Sequence, residues 1–101
     1  MMQDIQYAWK HAEMYQGQVV LVVSPDQYQS AQQALVAYAG AQHPFSGRTV
    51  RLATGGQIAV ASSHEEVFFT GAFAVLFVGV LDVQEMTRWK NAARQVLVRG
   101  M

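Results

Sequence analysis

An acidic pair follows the most apolar segment of this chain. Residues 73–81 are almost entirely apolar, Asp82 comes directly after them, and Glu85 follows one helical turn later. A carboxylate at the carboxyl end of a central strand is the ligand that a metal–nucleotide site requires. The same spacing also fits a capping box, in which Asp82 caps a helix and Glu85 lies in its first turn. We favour the capping interpretation and keep Asp82 as a candidate ligand-binding residue.

A second polar group follows another apolar segment, residues 18–23. Ser24 can cap a helix, and Pro25 suits the first helical position. In the alternative interpretation, Ser24, Asp26 and Asp82 lie together at the carboxyl ends of the strands and bind a nucleotide. Ser24 lacks the Gly-x-Ser-x-Gly elbow of an activated serine, so we name no catalytic residue.

Positive charge is modestly concentrated near the C-terminus. The four residues that could contact a nucleic acid are Arg88, Lys90, Arg94 and Arg99. Nucleic-acid binders usually need clustered Lys and Arg to displace counterions, whereas the formal net charge of this chain is zero. We favour a solvated helix face for these residues and keep nucleic-acid binding as an alternative.

Metal, phosphate and thiol chemistry have little support in the sequence. The three histidines, His11, His43 and His64, lack paired metal-ligand spacing. A phosphate-binding loop needs closely spaced glycines before a helix and usually a lysine, but no Gly-Lys pair occurs. The absence of cysteine excludes thiol catalysis and zinc–thiolate sites. We therefore predict no metal site and no cofactor.

The elements that position these residues alternate between helix and strand. Apolar periodicity predicts helices over residues 3–15, between Ser24 and Gly40, from a Ser62–Ser63 capping box through Phe69, and from Asp82 to about Gln95. The predicted strands are residues 18–23, a hairpin around Gly55–Gly56, residues 73–81 and a final strand in the tail, with residues 41–47 as a loop. We expect one α/β domain over residues 1–101, with three layers, a mostly parallel sheet, one antiparallel hairpin and helices on both faces.

The composition favours a folded domain with apolar surface to share. Hydrophobic residues make up 51% of the 101 residues and charged residues 14%. Because a domain of this size has a large surface for its volume, we expect it to leave apolar area exposed for a partner. The longest uncharged run, residues 67–81, is shorter than the roughly 20 apolar residues of a membrane span. We expect a cytoplasmic protein without a membrane segment or signal peptide.

Three segments together resemble the RecA-like ATPase core of phage large terminases and helicases. Residues 19–35 resemble the family's strand-Ser/Ala-Pro-helix segment, residues 48–78 its hairpin and acidic-motif strand, and residues 82–100 the helix that follows. The family's phosphate-binding loop would precede the first helix, and this chain begins too late to contain it. In place of the family's Asp-Glu pair, Asp82 is followed by Val83. The resemblance therefore implies a degenerate P-loop fold without ATP hydrolysis.

These observations predict a non-catalytic protein-interaction module of phage or mobile-element origin. We expect a protein partner or a second copy of the chain to cover an exposed sheet edge or apolar face. The alternatives are the nucleotide- or nucleic-acid-binding protein described above and a small enzyme of unrecognised type.

Overall fold

The computed structural model describes residues 1–40, 45–46, 49–67, 71–80 and 82–98. The helices are α1 (Met2–Tyr15), α2 (Tyr28–Ala39), which follows a 3-10 turn at Pro25–Gln27, and α3 (Val83–Ala92). The strands are β1 (Gln18–Val23), β2 (Phe45–Ser46), β3 (Thr49–Arg51), β4 (Gln57–Ser62), β5 (Ala74–Val78) and β6 (Gln95–Leu97).

The strands form one six-stranded sheet in the order β2-β3-β4-β1-β5-β6. β1 pairs in parallel with β4 and with β5, and β5 pairs in parallel with β6. β3 runs antiparallel to β4 and to β2, so the parallel centre is extended on one side by an antiparallel ribbon. The predicted mostly parallel sheet with an antiparallel hairpin is confirmed. β2 was not predicted, because its two residues lie in the segment that we predicted as a loop.

Two hydrophobic clusters lie on opposite faces of the sheet. The first joins α1 and α2 to alternate residues of the central strands, among them Leu21, Ile58 and Leu76. The second joins α3 to the strand residues that point to the opposite face, among them Val20, Val22 and Val75. Its centre is the fully buried Trp89. Five consecutive β1 residues, Val19–Val23, are completely buried because β1 contributes side chains to both clusters. The helices therefore cover both faces of the sheet.

The hairpin between β3 and β4 approaches α1 closely at one glycine. A Cβ atom on Gly56 would collide with the backbone carbonyl of Ala12 in α1. The preceding Gly55 has a φ of 102°, which favours glycine at this turn. The hairpin turn at Gly55–Gly56 is as predicted, and the close approach of α1 to Gly56 is a further reason for glycine there.

Two predicted helix starts differ from the structure. The Ser24 side chain makes no capping hydrogen bond, and α2 begins at Tyr28, after the 3-10 turn. The predicted short helix after β4 is wrong over residues 63–67, which form a turn instead, and residues 68–69 lie outside the described segments. The capping-box partners still meet there, because the Ser62 N–H donates to Glu65 Oε1 at 3.0 Å.

No helix within the described ranges is long and apolar enough to cross a membrane.

Candidate functional site

The carboxyl ends of the parallel strands meet at one edge of the sheet, which we call the carboxyl edge. Ser24 follows β1 there, Ser63 follows β4 and Gly79 follows β5. The Ser63 N–H donates to the Val23 carbonyl at 2.8 Å, which ties the end of β4 to the end of β1. Open α/β sheets generally bind their ligands at this edge, so it is the first place to look for a site.

The three predicted ligand-binding residues lie near this edge but do not form a common cluster. Ser24 is half-buried, whereas Asp26 and Asp82 are exposed. Asp26 leads into α2 on one face of the sheet, and Asp82 leads into α3 on the other. Among the described residues, none of the three is hydrogen-bonded or ion-paired to another of them.

Asp82 caps α3. One oxygen of its carboxylate, Oδ1, accepts the Gln84 N–H at 2.9 Å and the Glu85 N–H at 3.1 Å. Its backbone is extended, as expected for an N-cap residue. The capping interpretation of Asp82 is confirmed by these two bonds.

Glu85 does not complete the capping box. Its carboxylate instead reaches the turn after β4, which we call the β4 turn (residues 63–66). There it contacts His64 Nε2 at 2.9 Å and accepts the Ser63 hydroxyl at 3.3–3.4 Å. Ser63 is almost fully buried, whereas the His64 side chain is 68% exposed. Glu85 therefore fastens α3 to the β4 turn from inside.

Arg88 and Trp89, one helical turn after Glu85, also bind the β4 turn. The Arg88 guanidinium donates to the Ser63 carbonyl at 2.6 Å and also to the Glu65 carbonyl. The Trp89 indole N–H donates to the Ser63 carbonyl at 3.2 Å. The two side chains satisfy backbone acceptors at the end of β4 that would otherwise need water or a ligand. These two carbonyls of the β4 turn are therefore satisfied by side chains of α3.

Serine, histidine and glutamate meet here, yet their geometry does not match a hydrolytic triad. An activated serine must contact the histidine, which the carboxylate orients from its far side. Here the Glu85 carboxylate lies between Ser63 Oγ and His64 Nε2, so it receives both contacts. This arrangement can brace the turn, but the hydroxyl contacts the carboxylate and not the histidine.

The four predicted nucleic-acid-binding residues are not brought together as one patch. Arg88 is half-buried and directed into the β4 turn, whereas Lys90 is exposed on α3 beside β5 and β6. Arg94 is exposed at the opposite edge of the sheet, near the amino ends of β1, β5 and β6. Arg99 lies outside the described residues. Among the residues that the structure describes, no group of three or more histidines and acidic residues could hold a metal ion.

Sequence reasoning missed the partner of α3. Glu85, Arg88 and Trp89 stand at i, i+3 and i+4, a spacing that places them on one side of a helix. That spacing could have predicted a shared neighbour, but it could not identify the neighbour as the turn after β4. The long-range pairing depends on the order of strands in the sheet, which no local pattern in the sequence encodes.

The last strand exposes a different kind of surface. β6 pairs with β5 and has no second neighbour among the described strands. Val96 is 37% exposed and Val98 is 71% exposed, so two apolar side chains lie at this open edge. Beside them, a groove at the ends of β5 and β6 includes Phe77, Met86 and Lys90 from the α3 side and Asp4 from α1. We call the open side of residues 95–98 the β6 edge.

The backbone groups at the β6 edge can be assigned from the register. The Phe73 carbonyl accepts the Arg94 N–H at 2.8 Å, so it points towards β6. Alternation along β5 then turns the backbone groups of Val75 towards β6 as well. The register partner of Val75 is Val96, and in a parallel ladder Val75 bonds to the two residues that flank its partner. The N–H and C=O of Val96 therefore point away from β5, to the open side.

Comparison of this chain with protein-family models, with curated proteins and with solved structures finds no match.

Proposed function

We propose that this chain is a non-catalytic protein-interaction module and that its β6 edge pairs with the β6 edge of a second copy. The observation that carries the proposal is the open backbone of Val96, flanked by exposed apolar side chains. An unpaired strand edge readily accepts another strand, and proteins that do not use such an edge usually cover or charge it. Here the side chains on its α3 side are valines.

The geometry of the edge suits a copy of itself. A two-fold axis perpendicular to the sheet would set β6 antiparallel to its counterpart, as in the self-complementary interfaces of symmetric dimers. With the axis at Val96, each Val96 donates its N–H to the other and accepts in return. The formal net charge of zero adds no overall repulsion between the copies.

The carboxyl edge supports the non-catalytic half of the proposal. Three polar side chains there hold the fold, because Asp82 caps α3 and Glu85 and Arg88 bind the β4 turn. Ser24, whose side chain caps no helix, and the exposed Asp26 are not part of this arrangement. Descent from a RecA-like ATPase core, in phage or a mobile element, belongs to the same proposal. It rests on the order of segments in the sequence.

The test is the molar mass of the chain by light scattering across a dilution series. We expect a dimer at high concentration that dissociates on dilution, and a monomer for Val96→Lys, because the two lysines would face each other directly. Val36→Lys is the matched control, because Val36 is 48% exposed on α2, away from the β6 edge. It should dimerise like the wild type.

A second variant separates pairing from folding. Val96→Pro removes an N–H that does not bond to β5, and proline is tolerated on edge strands whose N–H faces solvent. We expect a folded monomer by circular dichroism and light scattering. A wild-type chain that is monomeric throughout the micromolar range, or dimers of both Val96 variants, would refute self-pairing. Tight binding of a different protein at this edge would refute the choice of a second copy while retaining the interaction role.

A further inference from the structure

A pocket opens at the amino ends of the strands, opposite the carboxyl edge. It lies between the C-terminal half of α1 and the beginnings of β1, β5 and β6, and we call it the amino-edge pocket. Its volume is about 430 Å³, within the range of small-molecule sites. Its larger lining side chains are His11, Tyr15, Gln18, Phe73, Arg94 and Gln95.

The charge of this pocket is one-sided. Of the described residues that line it, Arg94 carries a positive charge and none has a carboxylate side chain. Within the described part of the chain, no acidic side chain lies within ion-pairing distance of the Arg94 guanidinium. Its backbone is fixed by the bond from the Arg94 N–H to the Phe73 carbonyl, which holds the residue at the pocket wall. Arg88, by contrast, uses its guanidinium on two carbonyls of the β4 turn.

Aromatic rings form another wall. His11 and Tyr15 are one helical turn apart on α1, and their ring centroids lie 4.6 Å apart. Phe73 also lines the pocket, but its nearly buried ring packs against Trp89 on the α3 side of the sheet. Partial burial lowers the pKa of His11 below 6.5, so at neutral pH the imidazole offers a hydrogen bond rather than a second charge. Flat rings beside a single guanidinium match a flat ligand that carries one negative charge.

We propose that the amino-edge pocket binds a small aromatic carboxylate. The Arg94 fork takes the two carboxylate oxygens, a geometry that guanidinium groups favour. The ligand's ring packs against His11 and Tyr15, and the amides of Gln18 and Gln95 are available to polar substituents. The pocket draws its residues from elements of one chain, so this inference does not depend on dimerisation at the β6 edge.

Benzoate is a suitable probe, with benzamide as its neutral counterpart of similar shape. Titrations of the full chain followed by nuclear magnetic resonance should show saturable shifts at the amides that line the pocket, with benzamide at least tenfold weaker. Arg94→Gln should weaken benzoate binding by roughly 10- to 100-fold, the usual value of a hydrogen bond to a charged group. Lys90→Gln removes an equal charge from exposed α3 and should leave the affinity unchanged.

Three results would overturn the proposal. One is the absence of saturable shifts at millimolar benzoate. Another is equal binding of benzoate and benzamide, which would mean that the carboxylate is not recognised. The third is an equal loss in Arg94→Gln and Lys90→Gln, because general electrostatic attraction would then explain the binding.

Discussion

Replacing Asp82 with alanine removes the side-chain oxygen that accepts the N–H groups of Gln84 and Glu85. Loss of an N-cap side chain typically costs about 1 kcal/mol, within a range of roughly 0.5–2 kcal/mol. For a domain of about 100 residues, a loss of 1 kcal/mol lowers Tm by roughly 4–8 °C. We therefore expect Asp82→Ala to unfold several degrees below the wild type.

Asparagine distinguishes a cap from a ligand-binding carboxylate. Asn is about as good an N-cap as Asp, and Asp82→Asn gives up only the interaction of a charge with the helix dipole, worth roughly 0.3–1 kcal/mol. We expect Asp82→Asn to recover much of the stability that Asp82→Ala loses. Asp26→Ala is the control, because Asp26 is exposed and its side chain makes no hydrogen bond or ion pair within the described residues. Its change should stay within about 0.5 kcal/mol.

The assay is thermal unfolding, first without ligand and then with increasing Mg-ATP or Mg-ADP. A ligand that binds the native state raises Tm as its concentration passes Kd. We expect no saturable rise with either nucleotide. Equal stability of Asp82→Ala and the wild type would refute the capping argument. A saturable rise that Asp82→Ala abolishes would show that the carboxylate serves a nucleotide site.

Three further predictions concern the rest of the fold. Gly56→Ala should destabilise the chain by roughly 1–3 kcal/mol in urea unfolding, because its Cβ would collide with the Ala12 carbonyl; an unchanged midpoint would contradict this close approach. Arg88→Ala should lower the free energy of unfolding by about 2 kcal/mol in the same assay, because two carbonyls of the β4 turn lose a charged donor. Arg88→Lys should restore only part of that stability, since an ammonium group lacks the planar fork of a guanidinium. Full recovery in the lysine variant would exclude the two-carbonyl role. Because burial lowers the pKa of His11, the folded state binds fewer protons than the unfolded state as the pH drops below 6.5. The free energy of unfolding should therefore fall as the pH drops through that region. His11→Gln should make this fall smaller.

Much of the fold follows from short-range signals in the sequence. The five buried β-branched and leucine residues of β1 predict a strand covered on both faces, and Gly40 predicts the end of α2. Asp82 predicts the start of α3, because a capping oxygen satisfies N–H groups only a few residues away. Each of these signals lies within the element that it specifies.

The remaining features depend on contacts between distant segments. Ser62 and Glu65 form the bond of a capping box, yet residues 63–67 make a turn, because the chain there is held by Glu85 and Arg88 from α3. The same contacts explain why Glu85 leaves its expected place in the α3 capping box. The open groups of the β6 edge likewise follow from the pairing of β5 with β6 rather than from any motif.

Hydrogen exchange at the Val96 amide tests self-pairing of the β6 edge most directly. In a monomer this N–H faces the open side and exchanges rapidly, whereas in the paired dimer it is bonded to the second copy. The Leu97 N–H points towards β5 and serves as the internal reference. The proposal predicts that dilution from dimer to monomer accelerates exchange at Val96 while Leu97 stays protected. Equal exchange at Val96 across the whole dilution series would contradict it.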